Sequence, residues 1–440
     1  MSDKAGAHDL SIGYLIQDFP PEGGAGPARA AEMSARWMAR GAQVSVVTGM
    51  PNRRLAGRAD GDLLPEYRGR LFAEEQRDGV RVLRSWAYTS TRKSFARTMI
   101  NNATFMASAT INSLMKLGTP DVLIASSPPF LPHLAGFMVG RSRRIPLVLE
   151  IRDLWPDYLV GMGILKAGSA PARSLFGLER LLLSNAAHIV VVTESFRQRV
   201  ISKGVGAHKV SVISNGVDAT IYRPEESRPP IKALERENGD FVAGYLGTFG
   251  AGQALSTIAD AAAILAREAP SVRVVLVGEG PDWNRVKSHA DSLSLPNLVV
   301  ERSIDRDKTR AFYNSLDVCL IPLAPVSIFQ ETVPSKIFEA MACGRPVLAS
   351  LAGEAEAIVK SSGGGITVQP GDANAIARGI LKLRAMSAAE RAAMGKKGRE
   401  YVLANYRRET LADRYLDVLY DVASQRSTRA VKRPAMRALS

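Results

Sequence analysis

Cysteine is scarce in this 440-residue sequence, which contains only Cys319 and Cys343. Both lie inside apolar runs, so we interpret them as small buried hydrophobic residues. This excludes a disulfide framework as the basis of the fold and fits a reducing cytoplasm.

Long apolar runs are also missing. No segment approaches the roughly 18 uncharged apolar residues that a membrane span requires. The first ten residues lack the apolar core of an export signal. We therefore expect a cytoplasmic protein that does not cross a membrane.

Metal-ligand patterns are few. None of the five histidines stands in a spacing typical of a metal site. Asp305-Arg-Asp307 has the DxD form of metal-dependent transferases, but it precedes a helical segment and suits a turn and an N-cap. We expect no metal site and no cofactor.

Positive charge is abundant: the net charge is +14 and the isoelectric point is near 9.9. A nucleic acid, an anionic membrane surface, an anionic substrate and a merely solvated basic surface are all compatible with it. Aromatic residues make up only 6% of the chain, and no nucleic-acid-binding motif accompanies the charge. A nucleic-acid partner is therefore disfavoured.

Short β-branched runs alternate with helix-length segments in two sets. Strands of the first set are predicted at residues 11–16, 44–48, 80–84, 121–125, 146–151, 188–193 and 209–213. Those of the second are predicted at 241–246, 272–277, 297–301, 318–321, 346–349 and 365–368. The runs are uniformly apolar, which indicates parallel sheets covered by helices on both faces.

A polar, proline-rich stretch separates the two sets and is the predicted linker. We expect an N-terminal Rossmann-like domain at 1–221, the linker at 222–239 and a second such domain at 240–400. A C-terminal helix at about 401–424 is expected to pack back on the first domain, and a basic tail to follow at 425–440. Sheets of this kind bind ligands at the carboxyl ends of their strands, so two such domains imply a cleft.

Glycine-rich loops follow the first strand of each predicted domain. Gly23 and Gly24 lie between a strand and a helix, and Gly247 and Gly250 occupy the same place in the second domain. Such loops let the backbone approach an anion, although a structural turn explains each loop equally well. Another strand ends at Gly278-Glu-Gly280.

The PSKIFEAMACGRPV block at 334–347 is the most informative stretch. Pro334 and Ser335 suit a helix start and Gly344 a helix end. Lys336 in the first turn makes a diphosphate clamp with the helix dipole, and Glu339 on the same face suits ribose hydroxyls. A surface Lys–Glu pair is the alternative.

Several motifs in order resemble the family 4 retaining glycosyltransferases, in the branch that builds bacterial surface polysaccharides, lipopolysaccharide and lipid-linked glycans. They are PDVLIASSPP at 120–129, EIRDLWPD at 150–157, ISNGVD at 213–218, the block at 334–347 with Glu331 eight residues before Glu339, and QPGD at 369–372. The resemblance runs from about residue 11 to 420. It implies an α/β GT-B fold, with two facing doubly wound Rossmann-like domains and an inter-domain cleft.

The resemblance also implies residue roles. Glu339 binds the donor ribose and Glu331 lies near the donor sugar. The other implied donor-binding residues are Gly23, Gly24, Gly247, Thr248, Gly250, Gly278, Gly280, Ile304 and Lys336. Asp153, Glu331 and Lys336 are the catalytic candidates, with the two carboxylates as orienting groups.

Two departures from the family pattern affect the site. The loop GTFGAGQA at 247–254 has no cation where many members carry arginine and lysine, so charge neutralisation falls on Lys336 and backbone dipoles. Arg152-Asp153 stands where many members have a histidine before an acidic residue. The side chain that contacts the sugar from the N-terminal domain therefore stays undecided.

The activity implied is retaining, metal-independent transfer of a hexose or N-acetylaminosugar. We expect the donor to be a UDP-sugar and the acceptor a growing polysaccharide or a polyprenyl-diphosphate-linked glycan. A sugar-nucleotide 2-epimerase of the same fold is the alternative, and a basic nucleic-acid-binding protein is a further one.

Residues 91–117 combine Arg92, Lys93 and Arg97 with interleaved apolar side chains. This pattern predicts peripheral binding to an anionic membrane, at the inner face of the plasma membrane. An amphipathic helix packed on its own sheet is the other interpretation.

Overall fold

A computed structural model describes residues 9–53, 55, 61–91, 94–225, 234 and 240–437. They form two compact units. The N-terminal unit comprises the described residues up to Ser214 and those from Glu409 onward, and the C-terminal unit comprises Asn215–Arg408.

The chain passes between the units earlier than at the predicted linker. The backbone N–H of Val217 donates to the carbonyl oxygen of Tyr406, and Val217 also pairs with Arg407. The residues from 215 to 221 therefore belong to the C-terminal unit, which extends to Arg408 rather than to residue 400. Of the predicted linker, 226–233 and 235–239 lie outside the described residues.

Eight strands form the sheet seen in the N-terminal unit, in the order β3-β4-β2-β1-β5-β6-β7-β8. The strands are β1 Ser11–Leu15, β2 Gln43–Gly49, β3 Phe72–Arg77, β4 Val80–Ser85, β5 Val122–Ser127, β6 Leu147–Ile151, β7 His188–Val191 and β8 Val210–Val212. All neighbours pair in parallel except β3 and β4. The antiparallel edge strand β3 was not predicted, because its sequence FAEEQR is mostly polar.

Successive residues of the central strands enter two different cores. Tyr14, Val46 and Ile124 belong to one apolar cluster, whereas Leu15 and Val47 belong to the other. Both faces of this sheet are thus buried, as the apolar runs predicted.

Helices cover both clusters. They are α1 Ala25–Ala39, α2 Phe95–Asn112, α3 Leu131–Arg143, α4 Trp155–Gly161, α5 Ala170–Asn185 and α6 Glu194–Ser202. A π-helical turn, Ser113–Leu117, extends α2.

The described C-terminal unit has a six-stranded, wholly parallel sheet in the order β11-β10-β9-β12-β13-β14. The strands are β9 Phe241–Thr248, β10 Val272–Glu279, β11 Leu298–Glu301, β12 Val318–Pro322, β13 Val347–Ser350 and β14 Gly365–Val368. Its helices are α7 Leu255–Glu268, α8 Trp283–Leu293, α9 Thr309–Ser315, α10 Lys336–Ala342, α11 Glu354–Ser362, α12 Ala373–Ala385 and α13 Ala388–Asn405. The two units are therefore two Rossmann-like α/β domains.

The final helix, α14, spans Arg408–Arg437 and joins the N-terminal unit from Glu409. Leu411, Tyr415 and Leu419 enter the cluster around β1. Residues 401–405, predicted to start this helix, belong to α13 instead. The predicted tail continues α14 up to residue 437, and 438–440 lie outside the described residues.

Trp37 anchors α14. Its side chain is fully buried, its Nε1 donates a 2.9 Å hydrogen bond to the carbonyl oxygen of Ala412, and its ring meets Tyr415 edge-on at 5.2 Å.

We expect Trp37→Ala to lower the free energy of unfolding by about 3–5 kcal/mol, because it leaves a large cavity. Chemical denaturation measures this. Trp86→Ala is the matched control because Trp86 is 37% exposed, and an equal loss in both variants would contradict the anchoring role.

Candidate functional site

The carboxyl edge of the C-terminal sheet gathers most of the predicted site residues. Gly247, Thr248 and Gly250 lie at or after the end of β9, and Gly278 and Gly280 at the end of β10. Because the strands are parallel, these loops meet at one edge of the sheet.

Lys336, the first residue of α10, reaches this edge. Its Nζ lies 3.9 Å from the centre of the Tyr245 ring. A Cβ atom on Gly247 would come within 2.6 Å of that nitrogen, so a larger residue at position 247 would displace the ammonium group from this position. The structure thus brings Lys336 and Gly247 together.

The Lys336 ammonium has no hydrogen-bond or ion-pair partner among the described residues. Desolvation lowers its pKa to about 7, against an opposing influence of Glu339. A desolvated cation without a fixed counter-ion is a ready site for an external anion. The alternative of a surface Lys336–Glu339 ion pair is therefore not what the side chains form.

Tyr245 holds the loop as well as the cation. Its hydroxyl donates a 2.6 Å hydrogen bond to the carbonyl oxygen of Thr248, and burial raises its pKa above the usual value near 10. Gly250 follows and precedes the short 3-10 turn Ala251–Gln253. The Tyr245 side chain thereby fixes both the backbone at the end of β9 and the position of Lys336.

Glu339 lies one turn after Lys336 on α10 and is partly exposed. Its Oε2 accepts a 2.9 Å hydrogen bond from the hydroxyl of Tyr313, on α9. Tyr313 was not singled out from the sequence, because an isolated tyrosine in an amphipathic segment carries no local signal of such a contact.

Backbone packing explains why residues 278 and 280 are glycines. A Cβ atom on Gly278 would overlap the carbonyl oxygen of Gly247, and one on Gly280 would overlap that of Phe249. These glycines let the loops after β9 and β10 pack backbone against backbone. Their predicted role in donor binding stays a prediction.

Glu331 and Ile304 lie on two further loops. Glu331 ends the 3-10 turn Ser327–Glu331 between β12 and α10, and Ile304 follows β11; both are partly exposed. The predicted place of Glu331 near the donor sugar and the predicted donor-binding role of Ile304 stay predictions.

In the N-terminal unit, Gly23 and Gly24 lie between β1 and α1, and Gly24 caps the helix with a positive φ of 114°. Glu22 secures this loop, because its Oε1 accepts hydrogen bonds from the backbone N–H groups of Asn52 and Arg53 at 3.0 and 3.1 Å. Burial, with the nearby charge of Asp18, raises the Glu22 pKa to about 8.

A buried ionic network lies near the carboxyl ends of β1, β5 and β6 in the N-terminal unit. Glu150 is fully buried and accepts hydrogen bonds from Tyr14 at 2.7 Å, Ser126 at 2.6 Å and Arg29 at 3.1 Å. Burial alone raises a carboxyl pKa, but the charge of Arg29 and the other donors bring that of Glu150 below its usual value. These partners are far apart in sequence, so local patterns did not reveal them.

Arg152 and Asp153 follow β6, at the carboxyl edge of the N-terminal sheet. Arg152 Nε donates a 3.1 Å hydrogen bond to Ser126 Oγ, and a Cβ atom on Gly26 would come within 2.5 Å of its Nη1. Asp153 lines a small, mostly apolar cavity with Phe130 and Trp155. Burial raises the Asp153 pKa to about 6, opposed by Arg152.

The described residues contain no group of three or more histidine, cysteine or acidic side chains placed to hold a metal. Asp305 of the DxD sequence accepts a 3.1 Å hydrogen bond from Lys308 and closes a turn. The N-cap of α9 is Lys308 rather than an aspartate, so that part of the prediction was wrong.

The segment predicted to contact a membrane forms α2 and the turn after it. Ile100, Ala103, Ala107 and Ile111 lie exposed at helical spacing, whereas the opposite face is buried. Arg92 and Lys93 lie outside the described residues. No helix in the described part of the chain is both long and apolar enough to span a bilayer.

Comparison with known proteins identifies both units. Residues 23–216 match the model of the "glycosyl transferase 4-like domain", and residues 240–385 match that of the "glycosyl transferases group 1" family.

Two curated relatives illustrate the similarity. The probable glycosyltransferase WbjE of Pseudomonas aeruginosa is 24% identical over 68% of this chain and 75% of its own length. The lipopolysaccharide core biosynthesis glycosyltransferase LpsE of Rhizobium meliloti is 25% identical over 61% of this chain and 72% of its own. The proteins named give no support to the epimerase alternative.

Solved structures share the GT-B fold. Sucrose-phosphate synthase from Thermosynechococcus elongatus superposes with a TM-score of 0.75 at 19% identity, covering 94% of this chain and 100% of that one. Anabaena HepE in complex with UDP-glucose has a TM-score of 0.68 at 18% identity, covering 94% and 100%. At these identities the likeness shows the fold alone.

The Lys336 ammonium is expected to titrate near pH 7. Inorganic diphosphate should raise this pKa, because a bound anion favours the charged form. NMR of isotope-labelled lysine measures the titration, and Lys336→Ala identifies the resonance. A pKa near 10.5 that diphosphate leaves unchanged would contradict the anion site.

Proposed function

The chain belongs to the glycosyltransferases in which a glycosyl transferase 4-like domain precedes a group 1 domain, and on that premise we propose that it transfers a sugar from a UDP-sugar. The acceptor is a growing polysaccharide or a polyprenyl-diphosphate-linked glycan. Curated relatives named for lipopolysaccharide core and colanic acid biosynthesis support the acceptor class. The complex of Anabaena HepE with UDP-glucose supports the choice of donor.

The unpaired ammonium of Lys336 carries the proposal. Departure of the sugar leaves additional negative charge on the diphosphate, and a preorganised cation in a desolvated site stabilises that charge most strongly. Lys336 is held in place before the donor arrives, since Tyr245 and Gly247 define the space of its ammonium. Binding the diphosphate supplies the counter-ion that the residues described in the structure do not provide.

The proposed reaction retains the anomeric configuration and needs no metal. The bond between the anomeric carbon and the diphosphate oxygen breaks, and the acceptor hydroxyl oxygen bonds to that carbon on the same face. The acceptor proton passes to the departing diphosphate oxygen. Lys336 and the backbone N–H groups of the loop after β9 meet the charge that the reaction leaves there.

Carboxylates orient the substrates in this scheme. Glu339 accepts hydrogen bonds from the ribose hydroxyls, and Glu331 lies near the donor sugar. Asp153 acts as an orienting group of the N-terminal unit; its pKa near 6 leaves it mostly ionised at neutral pH.

Membrane attachment through α2 is the second part of the proposal. Phe95 and Met115 are 52% and 67% exposed, and Ile100 and Ile111 are about half exposed. An exposed apolar face on a helix that also carries Arg97 suits the interface of an anionic bilayer. It would place the enzyme at the inner face of the plasma membrane, where lipid-linked acceptors lie.

Lys336→Ala and Glu339→Ala are expected to weaken UDP-glucose binding by about 10- to 100-fold each, as loss of a hydrogen bond to a charged partner does. Calorimetry measures the affinity. If UDP-glucose does not bind the wild-type protein, the same test applies to UDP.

Lys360→Ala and Glu356→Ala are the matched controls, because these two residues form an i, i+4 pair on α11 of the same unit. They should bind the donor like the wild type. Unchanged affinity in Lys336→Ala and Glu339→Ala would remove this site from the proposal. Epimerisation of the UDP-sugar without an acceptor would favour the other enzyme class.

Flotation with liposomes tests the membrane part. We expect binding to anionic vesicles that fades in high salt and weakens when Ile100, Ile111 and Met115 are replaced together by serine. Replacing Ala388, Ala392 and Ala393, at the start of α13, by serine is the control. Absence of binding to anionic vesicles at low salt would refute attachment and leave the transferase proposal standing.

A further inference from the structure

Tyr313 is the buried partner of Glu339. It lies near the end of α9 with its side chain 2% exposed, and its hydroxyl donates a 2.9 Å hydrogen bond to Oε2 of Glu339. We propose that Tyr313 is a positioning residue that sets the direction of the Glu339 carboxylate toward the donor ribose. This inference rests on the ribose-binding role that the proposed function gives to Glu339.

The Tyr313 hydroxyl cannot turn away from Glu339 without a large cost in free energy. The Tyr313 ring packs edge-on against Tyr222 at 6.2 Å and against Phe312 at 6.2 Å. A buried hydroxyl that loses its partner pays the full cost of desolvation. Tyr313 therefore presents its proton in one direction.

Glu339 is the more exposed member of the pair. It is partly exposed on a short helix, and a glutamate side chain there has several rotamers of similar energy. A fixed donor at one carboxylate oxygen selects among those rotamers before the ligand arrives. Preorganisation of this kind raises affinity without adding a contact to the ligand.

The chain segment that enters the C-terminal unit also bonds to α9. Asn314 Nδ2 donates a 3.0 Å hydrogen bond to the carbonyl oxygen of Arg223, and Asn314 Oδ1 accepts one of 3.1 Å from the backbone N–H of Glu225. Arg310 forms a 2.5 Å ion pair with Glu225. The residues on both sides of Tyr313 are thus fixed, which gives its hydroxyl a defined position.

Calorimetric binding of UDP and 2′,3′-dideoxy-UDP separates positioning from a merely structural role. Tyr313→Phe keeps the ring and removes only the hydroxyl. It should weaken UDP binding about three- to tenfold, as loss of a hydrogen bond within the site does, and leave dideoxy-UDP binding unchanged. In Glu339→Ala/Tyr313→Phe, the loss should equal that of Glu339→Ala alone, because the tyrosine acts through the glutamate.

Tyr401→Phe is the matched control, since Tyr401 shares a hydrogen bond with Tyr406 in the same unit. It should bind both ligands like the wild type. Equal weakening of both ligands by Tyr313→Phe, or no weakening of UDP, would overturn the positioning role. If Glu339→Ala itself binds UDP like the wild type, the ribose-binding role in the proposed function fails, and this inference fails with it.

Discussion

The ammonium of Lys336 lies over the Tyr245 ring, without an ionic partner among the residues that the structure describes. Keeping a desolvated cation unpaired costs free energy, which appears as a pKa lowered to about 7. The neighbouring residues hold the ammonium group in this position. Gly247 leaves room for the ammonium, and the Tyr245 hydroxyl ties down the loop that surrounds it. Gly278 then lets the next loop close against Gly247.

The N-terminal unit treats its buried charge in the opposite way. Glu150 receives hydrogen bonds from Arg29, Tyr14 and Ser126, and Arg29 also donates to the carbonyl oxygens of Ile213 and Ser214. Each partner is satisfied within the protein, so this network holds β1, β5, β6 and α1 together. A paired buried charge indicates structure, whereas an unpaired one indicates a ligand. The contrast directs the search for substrate to Lys336.

Local patterns in the sequence predict most of the architecture. Apolar β-branched runs located every strand that is buried on both faces, because such burial leaves a continuous hydrophobic signal. They missed the edge strand β3, whose residues are only partly buried or exposed and whose sequence is mostly polar. The boundary at residue 221 was wrong because Val217 pairs with Tyr406 and Arg407, almost two hundred residues away.

The candidate site was predictable only in part. Lys336 and Glu339 follow from their spacing and from the resemblance of the surrounding block. Tyr313 lies 26 positions before Glu339, and Tyr245 lies on β9, far in sequence from Lys336. The contact of Tyr313 with Glu339 and that of Tyr245 with Lys336 therefore arise only when the chain folds. From the sequence, the glycines at 278 and 280 fit a ligand-binding loop and a packing position equally well. The structure shows a packing reason for them, because a backbone carbonyl group lies against each one.

A crystal structure of the protein with UDP-glucose bound tests the role of Lys336 most directly. We expect the Lys336 ammonium within hydrogen-bond distance of a diphosphate oxygen, and Glu339 against the ribose with its bond to Tyr313 kept. A diphosphate bound away from Lys336, with the ammonium still unpaired over Tyr245, would contradict this account.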